Sequence, residues 1–268
     1  MIHPTALIDA GARIGAGVKI GPFCTVGPSV VLEDDVELVS HVAIAGATTV
    51  GTGVKIFPFA TVGLEPQDLK YQGEDTQTLI GPRTIIREHC SIHRGTVTGS
   101  GVTRIGADCL LMAVVHVAHD CDVGDGVIIS NNVVLGGHVT VGERAVIGGS
   151  AALLQFVRVG TGAMVGGVTG VTADVIPYGF VFGPRARLSG LNIVGLRRRG
   201  LDRAQLHQVR AAYKFLFSGP GVFADRVAEA AHRFEGDRYV AQMLEFIATP
   251  SRHGLITTLS RATGEDEG

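Results

Sequence analysis

The segment Val115-His116-Val117-Ala118-His119-Asp120-Cys121 carries two imidazoles and a carboxylate, and Gly136-Gly137-His138 adds a third imidazole beside two glycines. An imidazole with a pKa of about 6.5 can take a proton from a hydroxyl at neutral pH. A neighbouring carboxylate such as Asp120 can fix the tautomer and stabilise the imidazolium, or else simply cap a turn. The backbone N–H groups of adjacent glycines can approach a reacting oxygen and stabilise a tetrahedral oxyanion. His93 is a fourth imidazole of interest. These parts suit general-base chemistry on a hydroxyl, provided the fold gathers them.

What gathers them is a period of six. Ile, Leu or Val recurs at every sixth residue from Ile2 to Val62, over Ile80, Ile86 and Ile92, and from Ile105 to Val171. Four residues after each anchor stands a smaller side chain, such as Ala6, Ala12, Val18 or Cys24. A helix repeats near 3.6 residues and a strand near 2, so neither explains this pattern. A parallel β-helix does: short strands meet at corners, three hexads close one triangular coil of about 18 residues, and coils stack. Glycines directly after anchors (Gly15, Gly21, Gly27, Gly51, Gly124, Gly142) are expected to form the bends, with positive φ available. The interior is then a solid aliphatic column, and function belongs outside it, on loops or between subunits. In this frame His119 lies two positions past an anchor, at a corner or facing outward. His138 lies about one coil above it, and His116 and His93 fall on the same edge.

The register breaks around 64–79, at 98–104 and after Pro177. Insertions in a solenoid become external loops, usually on the working face. The expected organisation is therefore a β-helix over residues 1–187, with external loops at 64–79 and 98–104, followed by a helical region over 188–268. Asp202 is placed to cap a helix whose apolar stripe is Leu206, Val209, Tyr213, Leu216 and Phe217. Two more helices are expected near 222–234 and 239–247, and a short acidic tail from Thr263 is expected to fray.

The net charge of −2 argues against bulk nucleic-acid binding. The C-terminal region is nevertheless locally basic, densest at Arg197-Arg198-Arg199. That run is either a solvated surface or a dock for phosphates or an acidic partner. No stretch is long and apolar enough for a membrane helix, no secretory signal opens the chain, and a cytoplasmic location is expected. Cys24, Cys90, Cys109 and Cys121 all occupy the small-residue position of the hexad, which makes them packing residues and not disulfide partners or metal ligands.

The chain resembles the UDP-N-acetylglucosamine O-acyltransferase family over nearly its whole length. The resemblance rests on His3-Pro4-Thr5-Ala6, Gln67-Asp68-Leu69-Lys70-Tyr71, Ile92-His93-Arg94-Gly95-Thr96, His116/His119-Asp120-Cys121, Gly137-His138-Val139, Gln155-Phe156, Asn192-Ile193 and Arg198-Arg199-Gly200. Hexads alone are shared by many acyltransferases; the loop from Gln67 to Tyr71 with the His119-Asp120 segment and the arginine run is far more specific. The resemblance implies a left-handed parallel β-helix, all-β apart from a small α-helical C-terminal domain. It implies a homotrimer with active sites in clefts between neighbouring subunits. It also implies transfer of an (R)-3-hydroxyacyl chain from acyl carrier protein to the 3-hydroxyl of UDP-N-acetylglucosamine, early in lipid A biosynthesis.

By the same resemblance His119 looks like the general base, Asp120 its supporter and the Gly137 amide the oxyanion donor. Asp68, Lys70, His93, His116, His138 and Gln155 look like substrate contacts. Asn192, Arg198 and Arg199 look like contacts to the nucleotide sugar, the arginines meeting the diphosphate. Gly167 and Arg185 match positions near the acyl groove, Gly167 leaving it deep. No metal or bound cofactor is implied; the donor carries its own phosphopantetheine on acyl carrier protein. Leu154, Val194 and Arg185 depart from residues that relatives carry. A sister N-acyltransferase usually has a domain ahead of its coils, whereas here the hexads begin at Ile2. A zinc hydratase using His116, His119 and His138, a non-enzymatic scaffold, and a 3-amino acceptor sugar stay open at this point.

Overall fold

The computed structural model describes residues 1–257. Strands mostly two residues long form three parallel sheets, the faces of a triangular prism. Leu7 pairs with Thr25, Arg13 with Val31 and Lys19 with Glu37, so each residue lies 18 positions below its partner, one coil away. We call the sheet containing Leu7–Ile8 the first face, that containing Arg13–Ile14 the second and that containing Lys19–Ile20 the third. The fold class is the parallel β-helix with a small helical C-terminal region that the hexads and the resemblance predict.

The column inside is as expected. Ile56, Ile86, Ile92, Leu111, Ile129 and Leu135 are fully buried, and so are the small partners Val54, Ala60, Cys121, Val133 and Val139. Burying one such aliphatic side chain contributes roughly 1.5–3 kcal/mol, so the ladder carries the fold. All four cysteines are free and buried in this column. Burial raises the thiol of Cys90 to about 11 and that of Cys121 to about 12.

The corners differ from expectation. At most corners the residue with positive φ is the one just before the small residue, and it is often not glycine: Phe23, His41, Phe59, His89, Val114, Asp120, His138, Phe156 and Val168 all adopt it. The glycines after the anchors serve another purpose. A Cβ on Gly21 would collide with the carbonyl oxygen of Val39 one coil above, and one on Gly142 with the backbone of Thr161. These glycines permit close stacking of coils, and the corner itself is turned by the residue of positive φ.

Two insertions interrupt the stack. Gln77 pairs with Ala47 below, 30 residues away, and with Val102 above, 25 away, in place of 18. Twelve and seven extra residues therefore leave the spiral on the edge between the first and second faces. Strand pairing extends over Thr61–Leu64, Gln77–Ile80 and Val102–Ile105. The irregular spans are thus 65–76 and 94–101, against the 64–79 and 98–104 read from lost anchors. Four-residue strands absorb the ends because backbone pairing continues where the aliphatic anchor has stopped.

Above the last coil, Gly179–Phe182 and Arg187–Leu191 form an antiparallel hairpin on the third face. The second of these strands crosses the 187/188 division, and helical backbone begins only at Ile193. Helix α1 (Ile193–Arg198) has no counterpart in the sequence reading, being too short for a periodic stripe. Helix α2 (Arg203–Ser218) has the Asp202 cap, reinforced by a reciprocal bond from the Asp202 amide to the Gln205 side-chain oxygen, and buries Leu206, Val209 and Leu216. Helices α3 (Phe223–Arg233) and α4 (Arg238–Ala248) follow. Buried Asp174 fixes Arg158 through two bonds of 2.7 and 2.8 Å, and Arg158 in turn donates to the Thr249 carbonyl just past α4. The backbone of Asp174 also pairs with Gly254 and Ile256, returning the chain to the coils. The acidic tail from Thr263 lies outside the described residues. No helix among those described is long and apolar enough to cross a membrane.

Candidate active site

His119 and Asp120 sit on the edge between the first and second faces, directly above the second insertion. Neighbouring residues on a strand point apart, but Asp120 adopts φ +59°, and this turn swings its carboxylate back under the His119 ring. His119 Nδ1 meets Asp120 Oδ2 at 2.8 Å. With Nδ1 donating to the carboxylate, Nε2 carries the lone pair. The edge position is as expected, but the degree of shielding is not: the His119 side chain is only 9% exposed and that of Asp120 is fully covered.

The shield is the insertion itself. Asp120 accepts from the Thr96 hydroxyl at 2.6 Å, from the Thr96 amide at 3.1 and 3.2 Å, and from the Gly101 amide at 3.0 Å. Ser100 Oγ stands at 3.3 Å. The amide of Asp120 donates to Thr103 Oγ1 at 2.8 Å, which holds the turn. Burial pushes the Asp120 carboxyl up, but the Thr96 and His119 bonds outweigh it, and the net shift is downward. Apart from Thr96, which appears in the family motif, this cradle escapes sequence reading; the only sign of it is the lost register.

The four imidazoles do gather. His138 lies one coil above Asp120, its amide bonded to the His119 carbonyl at 3.0 Å. Its ring meets that of His119 edge-on at 5.0 Å and stacks flat on Phe156 at 4.2 Å. His93 and His116 form a second edge-on pair at 4.9 Å, and Ser91 Oγ holds His116 Nδ1 at 2.7 Å. Burial is the leading cause that lowers His93, His116 and His138, with His93 brought to about 4. The three rings are therefore uncharged near neutral pH. His93 Nδ1 is buried without a hydrogen-bond partner among the described residues.

Gly137 lies against the His119 ring: a Cβ there would stand 2.8 Å from Nε2. Its amide donates no hydrogen bond among the described residues. His119, Asp120 and His138 also offer atoms within 4.8 Å of one another, a spacing a metal ion could bridge. The Asp120 oxygens, however, are already engaged by donors from Thr96, Gly101 and His119, which fits a hydrogen-bonded carboxylate better than a ligand.

The other candidates divide. Asp68 belongs to the first insertion on the same edge, close enough to His138 for its charge to oppose slightly the burial that lowers that ring, and it turns the chain by accepting from the Lys70 amide at 3.0 Å. Lys70 and Gln155 are exposed on this edge. Asn192, Arg198 and Arg199 are elsewhere. Asn192 is buried; it donates to the Gly162 carbonyl at 3.0 Å and caps α1 by accepting from Gly195. Arg199 donates to the Glu143 carbonyl at 3.0 Å. Gly162 and Glu143 are corners between the second and third faces. Arg198 is exposed. Gly167 and Arg185 adjoin the third edge, between the third and first faces, where Arg185 bridges Gly170. One chain thus carries His119, the arginines and the pair Gly167 and Arg185 on three different edges. Reading the sequence also overlooked Phe156 as a stacking partner and Arg252, whose guanidinium lies 3.7 Å over that ring.

Comparison with known proteins accords with this arrangement. Residues 174–256 match the model described as UDP N-acetylglucosamine O-acyltransferase, domain 2. Residues 11–46 and 103–137 match the bacterial transferase hexapeptide model. A Caulobacter vibrioides protein named acyl-(acyl-carrier-protein)–UDP-N-acetylglucosamine O-acyltransferase is 48% identical over 95% of this chain and 97% of its own length. A protein of the same name from Anaeromyxobacter is 45% identical over 94% and 98%. The crystal structure of the UDP-N-acetylglucosamine O-acyltransferase of Moraxella catarrhalis superposes with a TM-score of 0.93 at 40% identity, covering 95% of this chain and 99% of that one. That of Campylobacter jejuni gives 0.91 at 34%, covering 96% and 99%. Corner, cradle and comparisons converge: the chain belongs to the UDP-N-acetylglucosamine O-acyltransferase family of hexapeptide-repeat acyltransferases.

Proposed function

We propose that this enzyme transfers an (R)-3-hydroxyacyl chain from acyl carrier protein to the 3-hydroxyl of UDP-N-acetylglucosamine, a step of lipid A biosynthesis in the cytoplasm. The observation that carries the proposal is the His119–Asp120 pair, with the ring lying against Gly137, whose amide makes no hydrogen bond among the described residues. His119 Nε2 takes the proton of the acceptor hydroxyl as its oxygen attacks the thioester carbonyl. Asp120 stabilises the imidazolium through Nδ1. The carbonyl oxygen becomes an oxyanion, and the Gly137 amide donates to it. The intermediate collapses, the C–S bond breaks, and the pantetheine thiolate takes the proton from His119. Products are the ester and the free thiol of the carrier; no redox change occurs.

Uncharged His93, His116 and His138, with Asp68, Lys70 and Gln155, are assigned to orienting the sugar and donor on the same edge. Arg198 and Arg199, with Asn192 positioning their helix, are assigned to the diphosphate. Gly167 and Arg185 are assigned to the acyl groove. Because these groups occupy three edges of one chain, a homotrimer that brings edges of neighbouring copies together is the assembly that unites them. The basic helical region suits the acidic body of acyl carrier protein.

The test is transfer from 3-hydroxyacyl carrier proteins of several chain lengths to UDP-N-acetylglucosamine, read by mass spectrometry. The native chain forms the ester; His119→Ala loses nearly all transfer and keeps its folded mass and circular dichroism. Retention of the rate by His119→Ala overturns the assignment of the base.

A further inference from the structure

The second insertion is more than a surface excursion, and the residue that makes it functional is Thr96. Thr96 is 2% exposed and donates to Asp120 twice, through its amide and through its hydroxyl. The hydroxyl meets Oδ2, the same oxygen that receives His119 Nδ1. An ionised carboxylate only accepts, so the hydroxyl proton points at Asp120. The Thr96 oxygen is then free to accept from Thr98 Oγ1, 3.2 Å away. The loop is shaped for this: Gly101 adopts φ +74° and turns its amide onto the other carboxylate oxygen, and any side chain on Gly99 would strike the carboxylate.

We infer that Thr96 is the positioning residue of the catalytic pair: its hydroxyl orients Asp120 Oδ2 toward His119 Nδ1 and so fixes the proton on Nδ1 and the lone pair on Nε2. The seven-residue insertion exists, on this view, to carry that hydroxyl and the Gly101 amide to the carboxylate. A purely structural loop needs only backbone bonds; it has no use for a buried hydroxyl aimed at the oxygen that touches the base. Hydrogen bonds to charged acceptors are the stronger class, and their loss in a buried site leaves the acceptor under-satisfied.

The inference rests on His119 being the base, and the variants separate the two. Thr96→Val keeps the shape and removes the donor; Thr96→Ser keeps the donor and removes the methyl. Thr96→Val is expected to lower kcat about 10- to 100-fold, the range seen when outer partners of a catalytic ligand are removed, with KM for both substrates little changed. Thr96→Ser restores most of the rate. In ¹⁵N spectra of the native enzyme as it purifies, the His119 ring shows Nδ1 protonated; Thr96→Val shows a mixture of tautomers and Thr96→Ser does not. A Thr96→Val enzyme with native kcat, or with the native tautomer at reduced kcat, overturns the inference. So does Thr96→Ser if it folds and is as slow as Thr96→Val. Should His119→Ala retain transfer, the reading of the base fails first, whatever Thr96 does.

Discussion

His93 is the side chain whose environment has the plainest measurable consequence. Its ring is 6% exposed, and burial, with His116 and His119 nearby, brings its pKa to about 4 from an ordinary 6.5. The unfolded chain therefore binds a proton that the folded one refuses, and stability falls as pH drops from about 6.5 to about 4. The loss amounts to up to roughly 3 kcal/mol for this one ring. His116 and His138 are shifted the same way and add to it. Urea midpoints measured between those pH values should decline steeply, and His93→Gln should flatten the decline even where it costs activity. A slope unchanged by His93→Gln would mean that other groups govern the acid limb. At this scale the sequence was informative about which histidines cluster, because the hexad places them on one edge. It was silent about Thr96 and Gly101 as partners of Asp120, since their bonds depend on how an aperiodic loop folds back, and no period describes that.

Among the elements, the hexad made the strands, faces and column legible, because a side chain every sixth residue on a triangular path has only one place to go. It misassigned the corner. A glycine after an anchor was read as the residue of positive φ, whereas Phe23, Asp120 and His138 adopt that conformation and Gly21 supplies clearance for the coil above. The distinction can be measured. Gly21→Ala forces a methyl into the Val39 carbonyl and should cost about 1–3 kcal/mol, as overpacking does. Gly27→Ala, at the same place in the hexad but with its nearest contact at 3.4 Å, should cost much less. Equal shifts in the urea midpoints of the two variants would contradict the stacking explanation. Helix α1 went unread for a related reason: six residues capped by Asn192 are too few to display an apolar stripe.

The whole molecule presents the residues assigned to its chemistry on three separate edges. If neighbouring copies complete one another's sites, two inactive chains can rescue each other. His119→Ala lacks the proposed base but keeps Arg199; Arg199→Ala keeps the proposed base but is expected to bind the nucleotide sugar poorly. Unfolding and refolding the two together should return part of the native rate, while each refolded alone stays low. No gain on mixing would mean that each chain builds its site from its own edges. The two ends of the prism are also unlike. One is roofed by a hairpin and held by Asp174, which grips Arg158 below and residues 254–256 above. The other begins bare, with Ile2 and Leu7 open to water and Ile8 and Ile14 only partly covered. A stack whose rungs are supported only by their neighbours loosens first where a rung has no neighbour. Thermal motion should thus peel this spiral from its foot, and the corner of His119 and Asp120, set many rungs higher, is the part that such fraying reaches late.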